Sequence, residues 1–199
     1  MILVDPLLML ASLLMLTALP IYFSQIRNGS SVPNPATWMI MSLLVVLNTA
    51  TYYYTAEKET WKTMMAIIPM LGVITICVYT YVYGKFAPLA AREKRTLKLT
   101  SGLIVFWPFV GSDIANALTQ LLFLSSAYPT IEALRTGDGK EKALPWGVAT
   151  SAYTIMTIAI GIDWWYGHAD LWQIIYPVIR IPANGLVYYY ARKSSRDST

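Results

Sequence analysis

The sequence predicts an all-α membrane protein of seven transmembrane helices, built as two parallel three-helix bundles joined by a linker helix (3+1+3). Three observations carry that expectation: long apolar runs that recur, basic residues that sort to one side of them, and an internal repeat without gaps. Of the 199 residues, 56% are hydrophobic and 13% charged, against roughly 45–50% apolar and about 25% charged in an ordinary soluble domain. So few charges cannot cover a water-facing surface of this size. They gather in the gaps between apolar runs of about 20 residues, the pattern of bilayer spans.

The first run, 6–26, has Asp5 and no Lys or Arg on its leading flank, and no small-x-small site follows it. It reads as a retained span and not as a signal peptide. Further spans are expected at 36–54, 64–83, 113–134, 144–162 and 172–191. A seventh falls within 90–110, where only Leu99 to Val110 is cleanly apolar. That is about 18 Å of helix against a hydrocarbon core of about 30 Å. Arg92, Lys94, Arg95 and Lys98 would then have to snorkel to the headgroups.

Charge placement requires this short fourth span. With the N-terminus outside, four gaps face the cytoplasm. They hold Arg27; then Lys85, Arg92, Lys94, Arg95 and Lys98; then Arg135, Lys140 and Lys142; and last Arg192, Lys193 and Arg196. Those are twelve of the 15 basic residues. The other side keeps Lys58 and Lys62 beside Asp5, Glu57, Glu59, Asp113, Asp163 and Asp170. Seven spans satisfy the positive-inside rule, whereas six would turn the last two basic gaps outward. The expected location is integral to the membrane, the plasma (inner) membrane, with the C-terminus cytoplasmic.

A shift of 108 positions lays Asp5 on Asp113, Arg27 on Arg135, Gly29 on Gly137 and Trp38 on Trp146. It also lays Pro69 on Pro177, Tyr81 on Tyr189 and Lys85 on Lys193. Rare residues in three successive helices keep one register, so 1–85 and 109–193 read as two copies of one unit. Parallel copies need an odd number of linking spans. The organisation expected is a first bundle at 1–85, a linker with the short fourth span at 86–112, a second bundle at 113–193, and a cytoplasmic tail at 194–199.

The local sequence at each copy's first loop is similar to a known pattern. One copy reads LPIYFSQIRNGSSVPNPATW from Leu19 to Trp38, the other YPTIEALRTGDGKEKALPW from Tyr128 to Trp146. A proline near the inner end of the first helix, a basic residue, a polar turn and an aromatic-led second helix resemble the SWEET, SemiSWEET and PQ-loop superfamily of 3+1+3 membrane proteins. The residue after the proline is Ile21 or Thr130, where the family signature has glutamine. The resemblance implies a small-solute transporter or facilitator with a site between the bundles. It also implies that Asn184 and Trp146 contact solute, with Trp38 the matching tryptophan and Ile76 in place of a first-copy asparagine.

Within the spans, an interior proline removes a backbone hydrogen bond and kinks its helix. Pro20 and Pro129 near the inner ends, and Pro69 and Pro177 toward the outer ends, are candidate hinges. Arg180 lies near the middle of the last span, where an arginine costs a few kcal/mol or more unless it faces a cavity or a partner. It could bind an anionic group, pair with a gating carboxylate, or rest on helix-end carbonyls. Glu132 is the nearest acidic candidate by sequence. Asn48 and Asn116 are further midplane candidates for solute binding, and Trp38 and Trp146 are either ligand platforms or interfacial belt residues. Tyr52 to Tyr54 and Tyr188 to Tyr190 read as belt.

The one cysteine, Cys77, offers neither a disulfide nor a metal set. No metal and no cofactor are expected. The last span carries Arg180 at its middle where retinal chemistry needs a lysine, and no catalytic constellation lies in or beside the spans, so an enzyme is not expected. The net charge of +4 is accounted for by topology, and nucleic acid is not an expected partner. Expected partners are the lipid bilayer and a small molecule (sugar, amino acid or carboxylate), with a homo-oligomer or larger membrane complex open. The alternative to a transporter is a non-transporting protein of the same fold, either a ligand-binding receptor or an accessory subunit.

Overall fold

A computed structural model describes residues 3–33, 35–83 and 91–197, and all its regular structure is helical. Seven helices occupy these residues: α1 Val4–Arg27, α2 Pro35–Thr55, α3 Thr60–Tyr83, α4 Ala91–Val110, α5 Ser112–Thr136, α6 Ala143–Trp165 and α7 Leu171–Asp197. The shortest, α4, has 20 residues, which is enough to cross a hydrocarbon core of about 30 Å at about 1.5 Å per residue. Three helices, α1, α3 and α6, are both long and apolar enough to span a membrane.

Two pairs of helix starts keep the 108-position register, whereas α3 and α7 start at Thr60 and Leu171 and do not. α1 and α5 begin at Val4 and Ser112, and α2 and α6 at Pro35 and Ala143. Asp5 and Asp113 each fall in a first helical turn, where negative charge suits the helix dipole. Gly29 and Gly137, another matched pair, both have positive φ, +69° and +84°. Glycine pays no Cβ penalty there, so it can turn the chain sharply after each first helix.

Taking α1–α3 and α5–α7 simply as consecutive triplets along the chain, α3 packs on α1 and α2, and α7 packs on α5 and α6. These triplets are not separate bodies, because α1 packs more extensively on α6 than on α3 and α2 packs on α5, while α4 rests on α5 and α2. Ala11, Ala152 and Ala159 are buried in the core that joins α1 to α6. Small side chains of this kind let helix backbones approach closely.

A polar cluster joins α2 to α5. The amide of Asn116 donates to Asn48 Oδ1 at 3.2 Å and to Thr51 Oγ1 at 3.0 Å, and Gln120 donates to the same Asn48 oxygen. Asn48, Thr51, Asn116 and Gln120 are all buried. Outward faces carry Leu10, Leu13 and Leu16 on α1 and Leu118, Leu121 and Leu124 on α5, all exposed. Such apolar rows are costly in water and suited to lipid.

Two details differ from the sequence reading. α7 continues through Arg192 and Lys193 to Asp197, so most of the expected tail prolongs the helix. Arg192 donates to the Tyr188 hydroxyl at 3.0 Å and Ser195 to the Ala191 carbonyl at 3.0 Å, and basic residues there suit the dipole. Tyr52 is 0% exposed, a core residue instead of a belt one, because its side of α2 faces α7 and not lipid. Lys85 and the boundary between 85 and 86 lie outside the described residues.

Candidate functional site

Proline chemistry shapes the centre of the molecule. Pro69 in α3 and Pro177 in α7 cannot donate to the carbonyls four residues earlier, those of Met65 and Gln173. Both carbonyls are taken by tyrosines from the opposite triplet. The Tyr176 hydroxyl donates to Met65 O at 2.7 Å, and the Tyr52 hydroxyl donates to Gln173 O at 3.4 Å. Tyr52 and Tyr176 rings lie 4.8 Å apart, and Tyr153 meets Tyr176 edge-on at 5.6 Å with the two hydroxyls 3.3 Å apart. Expected hinge prolines therefore anchor contacts between the triplets at this end. Pro20 and Pro129 also lie inside continuous helices.

Beyond the tyrosines sits an ion pair. Lys62 of α3, only 2% exposed, reaches Asp163 of α6 at 2.7 Å and Glu59 at 3.2 Å. It puts charge at this end of the molecule, where Lys62 and Asp163 also line a second pocket.

On the other side of the tyrosines lies a cavity of about 90 Å³, lined from every helix but α4. Trp38, Trp146, Arg180 and Asn184 face it, together with Pro69 and a wall of apolar side chains. Thus four of the six solute-binding candidates come together. Asn48 and Asn116 do not: they belong to the α2–α5 cluster, spending their amides on each other. Glu132 stays away from Arg180 and pairs with Arg135 at 3.0 Å, one helical turn along α5.

Arg180 is 7% exposed and among the described residues has no carboxylate within salt-bridge distance. Its guanidinium lies 3.3 Å from the centroid of the Phe123 ring, with Tyr176 and Tyr153 at 5.6 and 5.9 Å. Among the described residues, its Nε and Nη2 have no hydrogen-bond partner. Cation–π contact compensates the face of the guanidinium and leaves its N–H edge unmet. Asn184, one turn along α7, donates its amide to the Arg180 carbonyl at 2.8 Å.

The far end of the cavity is built around Tyr22 of α1. Trp38 stacks on it at 5.4 Å and Trp146 meets it edge-on at 5.6 Å. The repeat-related tryptophans thus clasp one tyrosine, and Trp38 is buried rather than part of a surface belt. Tyr22 donates to Glu141 Oε1 at 2.8 Å, and the Trp146 indole approaches the other carboxylate oxygen at 3.5 Å. Beside them, Val32 N donates to the Lys140 carbonyl at 2.8 Å and Lys142 N to Ser31 Oγ at 3.1 Å.

Glu141 lies in the loop before α6 and is 8% exposed. Burial pushes its carboxyl up to about 7, although hydrogen bonds from Tyr22, Trp146 and Ser31 work the other way. Sequence reasoning missed Glu141 because it searched the spans. It also missed Tyr22, Tyr153 and the Lys62–Asp163 pair, whose roles depend on which helices meet. Comparison with known proteins finds no matching family model, no matching curated protein and no matching solved structure.

Proposed function

We propose that this chain is a SWEET/PQ-loop-like small-solute transporter or facilitator of the plasma membrane, with seven spans as two parallel three-helix bundles around a linker helix and a site between the bundles. The observation that carries the reading is the cavity flanked at both ends by contacts between the triplets. At one end stand Lys62–Asp163 and the tyrosine layer; at the other stand Tyr22 and Glu141. A solute pathway needs a central site with separable closures on either side. Equal starts of the first two helices in each triplet, and the third helix packing on both of the others, support the paired-bundle arrangement. In this reading the positive-inside rule turns the Tyr22 end toward the cytoplasm.

Reconstitution into proteoliposomes tests the proposal. Uptake is measured across a panel of sugars, amino acids and small carboxylates, and saturable uptake of at least one class is expected. Absence of both flux and binding across the panel would refute it and favour the receptor or accessory-subunit alternative.

A further inference from the structure

Among the described residues that line the central cavity, Arg180 alone carries a charge, and the surroundings of that charge define what complements it. We infer that the cavity takes a short-chain monocarboxylate, its carboxylate on the edge of Arg180 and its hydrocarbon against the apolar wall. The inference rests on the central site proposed above.

The charge balance of Arg180 is incomplete inside the protein. Each nearby acid in the second triplet is committed elsewhere: Glu132 to Arg135, Asp163 to Lys62, and Glu141 to Tyr22 and Trp146. An arginine this deeply buried normally meets a carboxylate or several hydrogen-bond acceptors. Here Nε and Nη2 have neither. Two adjacent guanidinium N–H groups form the fork that a carboxylate matches with two parallel bonds. Phe123 under the guanidinium holds its plane, which fixes the direction of that fork.

Hydrogen-bonding capacity argues against a neutral polyol. The Tyr22 hydroxyl is spent on Glu141, and the Trp146 indole is turned to the same carboxylate. Tyr153 is paired with Tyr176, whose own hydroxyl is held by Met65 O. Beyond Arg180 and the Asn184 side-chain oxygen, a sugar would bury its remaining hydroxyls without partners, each at a cost of about 1–3 kcal/mol. A dianion would bring a second charge that one arginine does not balance.

Size narrows the class further. A protein cavity of about 150 Å³ accepts benzene, so about 90 Å³ suits a solute smaller than six heavy atoms. Propionate, with five, has the charge, the apolar body and the volume.

Equilibrium binding of radiolabelled propionate to the full-length protein in lipid nanodiscs tests this, with propionamide and glucose as competitors. Propionate should compete at least tenfold better than propionamide, and glucose should not compete. Arg180→Lys should keep part of the binding, and Arg180→Gln should lose it at least tenfold while remaining monodisperse and helical. Equal competition by propionamide, or unchanged binding by Arg180→Gln, would overturn the inference. Should Arg180→Gln fail to fold, the acid–amide comparison on the native chain decides alone. Saturable flux of a neutral solute without propionate binding removes this inference and leaves the transporter reading standing. No binding and no flux of any solute removes both.

Discussion

Arg180 stands where the repeat has Gly72, and the two positions are filled by opposite means. At Gly72 an added Cβ would come within 2.3 Å of Leu19, so the glycine lets Leu19 fill the first-copy side of the cavity it lines. At Arg180 a charge enters the same layer. Burying it without a counter-ion costs stability, and an apolar group of similar volume removes that cost. Arg180→Met is therefore expected to leave the protein at least as stable as the native chain in thermal unfolding while abolishing solute binding. Loss of stability on that change would mean that Arg180 is a structural residue. Lys62 is the contrasting case, since its charge is met. Lys62→Ala strands Asp163 and should cost about 3–5 kcal/mol, most of which Lys62→Met with Asp163→Leu recovers. Chemical denaturation in detergent reads both.

At the scale of helices, the two proline-freed carbonyls explain why tyrosines cross between triplets. If Tyr176 is held by the carbonyl that Pro69 releases, restoring the helix bond should make the tyrosine redundant. Tyr176→Phe is expected to cost about 0.5–2 kcal/mol in the native chain and distinctly less in a Pro69→Ala background. A double-mutant cycle measures the difference, and equal costs would deny the coupling. The opposite end is pH-sensitive. The Glu141 carboxyl, raised from 4.5 to about 7, binds its proton more tightly when enclosed by Tyr22, Trp146 and Ser31 than when in water. The enclosed form thus has its full advantage below pH 4.5 and loses it as pH rises through 7, by on the order of 3 kcal/mol in total. Melting temperature should fall between pH 5 and 8.5 in the native chain and stay nearly flat in Glu141→Gln. Parallel pH profiles would show that Glu141 does not govern this end.

For the whole molecule, the fold was legible in the sequence wherever rare residues repeated. Asp5 with Asp113, Gly29 with Gly137 and Trp38 with Trp146 mark helix starts, turns and cavity walls that recur in both triplets. Arg180 and Asn184 were legible because they break the repeat. Asn48 and Asn116 were misplaced because a polar residue at mid-helix looks the same in sequence whether it faces a cavity or another helix. Tyr52 was misread because a run of tyrosines at a helix end does not say which one turns inward. Glu141 was invisible because nothing in a charged loop foretells burial. Under the proposed transport function, solute would cross between the triplets, and each end would have to part in turn. Cross-linking tests this most directly, in proteoliposomes and on a Cys77→Ala background. One cysteine pair replaces Lys62 and Asp163, and another replaces Tyr22 and Glu141, each closed by a short reducible cross-linker. Solute flux is expected to stop when either pair is locked and to return on reduction. Undiminished flux with both ends locked would contradict it.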